Sequence, residues 1–191
     1  MTTRPAVFLD RDGTLIAGLG YLGDPEGVKP LPGVVEALEE LGAKGWLRIV
    51  VTNQSGVARG YFTEQDYHAV EQRVDELIPG IDASYACFHL PGGSVEPWNA
   101  TCTCRKPLPG MLHTAALLHG LDLAGSVLLG DDLRDLHAAR AAGVRPVLVR
   151  TGKGAENEAR LADAGLADAE VVDDVAAFAR AIGVATTRDA P

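Results

Sequence analysis

The stretch VFLDRDGT, residues 7–14, begins as an apolar run and then places two carboxylates, Asp10 and Asp12, two residues apart. A short apolar run bounded by turn residues is typical of a buried strand. Gly13 allows a sharp turn, and the amides of such a loop can face an anion. An Asp-rich turn without function would give the same pattern, because Asp-Gly is common in turns. The stretch predicts a strand that ends in a polar loop, with a ligand site as the functional interpretation.

Three further segments carry polar side chains that suit phosphate chemistry. They are VVTNQSG at 50–56, CRKP at 104–107 and VLLGDD at 127–132. Each has a structural alternative: a loop that caps a helix, a solvated charged pair, or an Asp-rich helix start favoured by the helix dipole. Two strand ends that carry carboxylates can converge on one hard cation, and Mg²⁺ prefers oxygen ligands. The presence of all four segments favours function.

Short apolar runs alternate with amphipathic stretches, which is typical of βαβ units around a parallel sheet. We predict strands at 6–9, 47–51, 83–88, 126–129 and 146–149, and a short strand around residue 171. We predict helices at 33–44, at 63–78 with Thr63 as N-cap, from about 109, and at 133–142, 156–164 and 175–182. No repeat or long linker divides the chain. We therefore expect one domain over residues 1–184 and a disordered tail over 185–191.

In this order the four segments resemble the haloacid-dehalogenase (HAD) superfamily of phosphohydrolases, from Val7 to about Thr151. The resemblance implies an α/β fold, a three-layer α/β/α Rossmann-like arrangement with a central parallel sheet. The gaps between the segments have room for loops and single helices, so we expect no large cap domain and an open site. Within the superfamily, TNQSGVARG at 52–60 and the cysteine loop most resemble the D-glycero-D-manno-heptose 1,7-bisphosphate 7-phosphatases. Histidinol-phosphate phosphatases are near relatives.

The resemblance implies a chemical role for five residues. Asp10 is expected to be the nucleophile that forms an aspartyl-phosphate, and Asp12 the general acid and base. Mg²⁺ is expected to be held by the carboxylates of Asp10 and Asp131 and by the main-chain carbonyl of Asp12. Thr52 and Lys106 are expected to hold the oxygens of the transferring phosphoryl group. Such a mechanism replaces one difficult displacement with two easier ones.

Recognition of the rest of the substrate, including a second phosphate, is expected from Arg105. The family's substrate loops map onto Gly18, Leu19, Gly20 and Tyr21, and onto Thr52, Asn53, Gln54 and Ser55. The chain departs from the family at one position, because the residue after Asp131 is often Lys in the nearest relatives and is Asp132 here. An extra carboxylate could touch the metal through water or weaken a contact to the substrate.

A cysteine loop at 87–104 brings together Cys87-x-His89 and Cys102-x-Cys104. Three thiolates and one imidazole suit a closed, tetrahedral, structural Zn²⁺ site. Free or oxidised thiols are the alternative. The arrangement resembles the zinc loop of the heptose bisphosphate and histidinol phosphatases. Because Cys104 adjoins Arg105, a bound Zn²⁺ would fix the direction of the neighbouring cations rather than take part in catalysis.

Composition limits the partners and the location. The chain has 191 residues, a hydrophobic fraction of 47% and a formal net charge of −9. A negative chain is repelled by nucleic acid and by anionic lipid, so we expect neither as a partner. The sequence shows no signal-peptide pattern and no long apolar run, which predicts a cytoplasmic protein that acts on a small molecule. The expected absence of a cap favours a monomer.

The function expected from the resemblance is removal of the 7-phosphate of D-glycero-D-manno-heptose 1,7-bisphosphate with Mg²⁺. Two alternatives stay open. A histidinol-phosphate phosphatase would depend less on Arg105 and would profit from an acidic pocket, to which Asp132 could contribute. A zinc-stabilised binding domain without turnover belongs to a different class. It is disfavoured by the presence of Asp10, Asp12 and Lys106 together.

Overall fold

The structure, a computed structural model, describes residues 2–18 and 20–189. Its strands are β1 (Thr2–Thr3), β2 (Ala6–Leu9), β3 (Leu47–Asn53), β4 (Ala83–Cys87), β5 (Val127–Gly130), β6 (Arg145–Val149), β7 (Glu170–Val172) and β8 (Arg188–Asp189). Its α-helices are α1 (Val34–Ala43), α2 (Gly56–Arg59), α3 (Glu64–Leu77), α4 (Gly110–His119), α5 (Leu133–Ala141), α6 (Gly154–Glu158) and α7 (Val175–Ala181). A 3₁₀ turn spans Pro25–Gly27.

Six parallel strands form the central sheet in the order β4-β3-β2-β5-β6-β7. The chain builds outward from β2 to β4 and then returns to place β5 on the other side of β2. In the register of this central pair, Val7 lies opposite Val127 and Leu9 opposite Leu129. The order of the strands therefore reverses between β2 and β5. In open α/β sheets, ligands bind at the carboxyl ends of the strands at such a reversal.

Both faces of the sheet are covered, because side chains alternate along each buried strand. Val7 and Leu9 pack in one apolar cluster with residues of α1, α3 and α7. Ala6 and Phe8 point to the other face and pack in a second cluster with residues of α4 and α5. All four residues of β2 are fully buried. These contacts give the three-layer α/β/α arrangement expected from the sequence.

The helix start predicted at Thr63 is confirmed, and the contacts form a capping box. The Thr63 hydroxyl accepts a hydrogen bond from the amide of Asp66 at 3.1 Å. In return the Asp66 carboxylate accepts one from the amide of Thr63 at 2.7 Å. Two backbone donors that the first turn leaves without helical partners are thereby satisfied. α3, with 14 residues, is the longest helix of the described chain.

Two predictions differ from the structure by more than two residues, whereas the other predicted elements agree to within one or two at each end. The helix expected at 156–164 is α6, which covers Gly154–Glu158 and continues as turns. Residues 185–189 were expected to be disordered, yet the Ala185 amide donates to the carbonyl of Lys44 and β8 pairs antiparallel with β1. These backbone partners lie more than a hundred residues away in sequence, so local composition could not predict them. Residues 190 and 191 lie outside the described residues.

The inserts between the early elements are short, as expected for a chain without a large cap. Between β2 and α1 the described residues form loops and the single 3₁₀ turn. Among residues 2–18 and 20–189, none of the helices combines the length and apolarity that crossing a membrane requires.

Candidate active site

The carboxyl ends of the strands surround a cleft of about 380 Å³ at the reversal of the sheet. β2 leads into Asp10, β3 ends with Thr52 and Asn53, and β5 leads into Asp131. The loop before α4 adds Lys106. The cleft is lined by Asp10, Asp12, Gly18, Gly20, Tyr21, Thr52, Asn53, Gln54, Ser55, Arg105, Lys106, Asp131, Asp132, Arg134, Asp135, Gly152 and Lys153. The structure thus gathers residues from Asp10 to Lys153, which are 143 positions apart in the sequence.

Lys106 is a buried cation at the floor of the cleft, with 2% of its side chain exposed. Its ammonium donates to Asp10 Oδ1 and to the carbonyl of Val51, both at 2.7 Å, and pairs with Asp135 Oδ1 at 2.5 Å. Burial alone would lower the pKa of Lys106, but the two carboxylates raise it above its ordinary value. The side chain therefore remains charged throughout the neutral range.

The backbone of Lys106 is held as firmly as its ammonium. The side-chain amide of Asn53 donates to the carbonyl of Lys106 at 3.0 Å, and its oxygen accepts from the amide of Lys106 at 3.0 Å. These paired bonds join the end of β3 to the loop that carries Lys106. Asn53 was predicted as a substrate contact, and the structure assigns it this anchoring role at the edge of the cleft.

Three carboxylates, Asp10, Asp131 and Asp135, place one oxygen each within 4.8 Å of one another. Burial, followed by the negative charge of Asp10, raises the pKa of Asp131 to about 6. Burial also raises the pKa of Asp135, although its pairing with Lys106 opposes the shift. Crowded buried carboxylates that resist ionisation favour a divalent cation with oxygen ligands. This donor set fits Mg²⁺.

Two glycines with positive φ allow the chain to close around Asp131. Gly13 has φ of +91° and Gly152 has φ of +56°, and a Cβ at either position would collide with Asp131 Oδ2. The same oxygen accepts a hydrogen bond from the amide of Lys153 at 2.8 Å. Asp131 is therefore held between the loops that follow β2 and β6, with no space for side chains at the two glycines.

Asp12 lines the same cleft, but its carboxylate points to a different set of donors. Gln54 Nε2 donates to Asp12 Oδ2 at 2.7 Å and to Thr52 Oγ1 at 2.8 Å. The guanidinium of Arg11 contacts Asp12 from the other side at 3.1 Å. Two carboxylates two residues apart thus lie in different environments, as nucleophilic and acid–base roles require.

The rim of the cleft carries cations and aromatic rings. Arg105 donates from Nη1 to the carbonyl of His89 at 3.2 Å, which joins it to the cysteine loop. Tyr21 is 52% exposed and lies edge-to-face with Tyr61, with ring centroids 4.7 Å apart. Arg59 lies over the Tyr21 ring at 5.7 Å. An anionic ligand with an apolar face could contact this rim.

Asp132, the residue that departs from the family pattern, begins α5 as its N-cap. Its carboxylate pairs with the Arg134 guanidinium at 2.7 Å. Burial would raise the pKa of Asp132, but hydrogen bonds from the Arg134 side chain and amide lower it to about 2. The extra carboxylate is therefore ionised and already paired with a cation.

The four residues of the cysteine loop converge as predicted. Cys87, His89, Cys102 and Cys104 each place a ligand atom within 4.8 Å of the others. The Cys87 sulfur lies 2.9 Å from that of Cys104 and 3.6 Å from that of Cys102. Burial and the neighbouring thiols raise the pKa of Cys87 above its ordinary value. The chemistry of this donor set, three sulfurs and an imidazole, fits Zn²⁺.

Sequence reasoning assigned no role to four residues of the cleft, namely Arg134, Asp135, Gly152 and Lys153. Asp135 had a sequence signal, since it follows Asp131 by one helical turn in DDLRD. The GK pair at 152–153 stands in a loop without a recognisable motif. Of the predicted substrate residues, Leu19 lies outside the described residues, and the others line the cleft.

The architecture and the site define a class of protein. A family profile described as HAD-hydrolase-like matches residues 103–178. That span contains β5, which leads into Asp131, and the loop that carries Lys106. With the reversal of the parallel sheet and the two aspartates after β2, the match makes the chain a hydrolase of the HAD class.

Named relatives narrow the class to one family. The D-glycero-beta-D-manno-heptose-1,7-bisphosphate 7-phosphatases of Salmonella typhi and Escherichia coli K12 are each 44% identical to the chain over 160 residues. The alignments cover 81% of this chain and 85% and 84% of the two relatives. The chain belongs to this family of 7-phosphatases.

Solved structures agree with the family. The D,D-heptose 1,7-bisphosphate phosphatase of B. bronchiseptica, complexed with magnesium and phosphate, is 37% identical and superposes with a TM-score of 0.81. The D,D-heptose 1,7-bisphosphate phosphatase of Burkholderia thailandensis is 31% identical with a TM-score of 0.66. Each superposition covers 92% of this chain and 96% of the other.

The loss of fold stability caused by the clustered carboxylates can be tested with Asp131→Asn. Because its pKa is raised, Asp131 destabilises the metal-free fold at neutral pH, and this loss of stability diminishes as the pH falls from about 6 toward the ordinary carboxyl value of 3.8. An Asn keeps an acceptor for the Lys153 amide and removes the charge. We expect a higher Tm at pH 7 in a chelating buffer, by about 2–4 °C per kcal/mol gained. We also expect the stabilisation by Mg²⁺ to be lost.

The measurement is thermal unfolding with and without Mg²⁺ at neutral and acidic pH. Asp163→Asn, a change at an exposed aspartate, is the matched control and should leave both Tm values unchanged. An Asp131→Asn protein with a lower metal-free Tm, or with the full response to Mg²⁺, would contradict this interpretation of the acidic cluster.

Proposed function

We propose that the chain is a Mg²⁺-dependent phosphatase that removes the 7-phosphate of D-glycero-D-manno-heptose 1,7-bisphosphate. The observation that carries the proposal is the contact between the Asp10 carboxylate and the buried ammonium of Lys106 at the floor of the cleft. A carboxylate held beside a fixed cation can attack an anionic phosphorus centre, because the cation offsets the repulsion. The names of the 44% identical relatives support this substrate.

In the first half-reaction, a carboxylate oxygen of Asp10 bonds to phosphorus while the bond from phosphorus to the sugar oxygen breaks. The departing oxygen takes its electron pair and receives a proton from Asp12. Lys106 and Thr52 hold the phosphoryl oxygens as charge moves across them. Burial of both side chains strengthens these contacts, since fewer waters screen the charges.

In the second half-reaction, Asp12 takes a proton from a water molecule whose oxygen bonds to phosphorus. The bond between phosphorus and Asp10 breaks, which restores the carboxylate and releases inorganic phosphate. Mg²⁺, when bound, supplies positive charge that neutralises the nucleophile and the phosphate together. Asp10, Asp131 and the main-chain carbonyl of Asp12 would hold it. Asp135 adds negative charge beside this set and is paired with Lys106.

The pairing of Asp132 supports a bisphosphate rather than histidinol phosphate. An unpaired carboxylate at the rim would attract a cationic amine, but the carboxylate of Asp132 already forms an ion pair with Arg134. Arg105 and Arg134 line the cleft together. A rim of this kind suits a second phosphate, and it gives no reason to favour the binding-domain alternative.

We further propose that Cys87, His89, Cys102 and Cys104 hold a structural Zn²⁺. The hydrogen bond from Arg105 to the carbonyl of His89 links the metal site to the cation that is expected to contact the substrate. Lys106, by contrast, is held by Asn53 and the carboxylates rather than by the cysteine loop. The metal therefore orients the cation that recognises the substrate more than the cation that assists the chemistry.

The function is tested by phosphate release in the presence of Mg²⁺. The substrates are both anomers of heptose 1,7-bisphosphate, fructose 1,6-bisphosphate and histidinol phosphate, with Asp10→Asn as the blank. We expect the heptose bisphosphate to be preferred and the blank to show background release. Preference for histidinol phosphate would replace the proposed substrate. Absence of Asp10-dependent release from all of them would favour a binding domain.

Removal of Zn²⁺ should raise KM more than it lowers kcat. A charge-assisted hydrogen bond contributes about 1.5–3 kcal/mol, so a misdirected Arg105 should raise KM by about tenfold or more. The experiment compares kinetics before and after chelation, with bound zinc measured by mass spectrometry and Mg²⁺ restored in both assays. Unchanged KM after proven loss of zinc, or an equal loss in kcat, would contradict the proposed route through His89.

A further inference from the structure

Arg11 is a buried cation that the proposed reaction steps do not use. Its side chain has no exposed surface, and it is the largest of the fully buried side chains. The guanidinium lies between the carboxylates of Asp12 and Glu71, the latter from α3. A buried charge is tolerated only when it is paired and hydrogen-bonded. Arg11 therefore connects the loop after β2 to a helix outside the cleft.

The contacts of the guanidinium fix its rotation as well as its position. Nη1 donates to Glu71 Oε2 at 3.3 Å, while Nη2 and Nε donate to Asp12 Oδ2 at 3.1 and 3.3 Å. The face of the group lies over the Tyr67 ring, with Cζ 5.5 Å from the ring centroid. Because the donors of a guanidinium form a rigid planar fork, the bond to Glu71 determines where the other donors point.

The two oxygens of Asp12 consequently differ. Oδ2 accepts from Arg11 Nη2 and Nε, and it also accepts from Gln54 Nε2 at 2.7 Å. Among the hydrogen bonds of the described residues, Oδ1 takes part in a single one, from Arg11 Nη2 at 3.3 Å. A quarter of the Asp12 side chain is exposed, and the residue lines the cleft. Oδ2 is the anchored oxygen, and Oδ1 is the oxygen that can exchange a proton.

We propose that Glu71 and Arg11 are positioning residues for the acid–base carboxylate of Asp12. Glu71 orients the guanidinium, the guanidinium holds Oδ2, and Oδ1 is thereby presented to the leaving oxygen. As the bond from phosphorus to the sugar oxygen breaks, that oxygen keeps the electron pair and takes the proton from Oδ1. The resulting carboxylate remains bound to Arg11. This inference rests on the proposed phosphatase function, and neither side chain touches the substrate.

Two substrates with different leaving groups can distinguish a defect in the position of the general acid from a general defect in the fold. A sugar alkoxide is a poor leaving group and needs a proton as it departs. The aryl oxide of p-nitrophenyl phosphate is stable as an anion and leaves without that help. Asp12 also serves the later hydrolysis of the aspartyl-phosphate, which is common to both substrates, so the comparison uses kcat/KM, which reports the steps up to departure of the leaving group. A misplaced Asp12 therefore lowers kcat/KM for the sugar phosphate and spares kcat/KM for the aryl phosphate. A defect in the nucleophile, in Mg²⁺ binding or in folding slows both.

The variant is Glu71→Gln, which keeps the size of the side chain and removes its charge. We expect kcat/KM for heptose 1,7-bisphosphate to fall by about tenfold. For p-nitrophenyl phosphate we expect kcat/KM to change by less than about twofold. Arg11→Lys is the second variant, because it keeps the charge without the planar fork, and it should show the same selective loss.

Glu76→Gln on the same helix is the matched control. Glu76 is about half exposed and pairs with Arg73, so this change should alter neither activity. An equal loss of kcat/KM on both substrates, or no loss on the sugar phosphate, would overturn the inference while leaving the proposed function in place. A wild-type protein without Asp10-dependent turnover would overturn the function, and the inference with it.

Discussion

The buried ammonium of Lys106 is the interaction on which the site depends. It brings one positive charge within hydrogen-bond distance of Asp10 and Asp135, where unscreened carboxylates would otherwise repel one another. Removing one partner of such a buried group is strongly destabilising, because the remaining charges lose their compensation. Asp10, Lys106 and the neighbouring carboxylates are therefore one electrostatic unit, and the loops around it are arranged to keep that unit intact.

The topology of the sheet explains why the unit assembles. β2 and β5 are adjacent strands separated by more than a hundred residues of sequence, and the reversal between them opens a crevice at their carboxyl ends. Asp10 and Asp131 meet there. Gly13 and Gly152 let the flanking loops approach Asp131 more closely than any side chain would permit. The buried sheet supplies rigidity, and the glycines supply the close approach.

Two parts of the fold outside the cleft hold Arg105 and Arg11 by hydrogen bonds. The cysteine loop holds Arg105 through the carbonyl of His89, so it controls the cation at the rim. Helix α3 holds Arg11 through Glu71, so it controls the carboxylate of Asp12. The proposed roles of Arg105 in substrate recognition and of Asp12 in proton transfer thus depend on separate parts of the fold. Each can be perturbed without dismantling the buried unit around Lys106.

The sequence by itself determined the strands that precede Asp10 and Asp131, the helix start at Thr63 and the grouping of the three cysteines in one loop. These features depend on local patterns of apolar, capping and thiol residues. Only the tertiary structure decided the pairing of Asp135 with Lys106, the anchoring of Asp12 by Arg11, and the ordered backbone at 185–189. Those contacts join residues distant in the chain or depend on side-chain direction. Periodicity and spacing do not reveal these contacts, because buried polar groups find their partners only when the chain closes on itself.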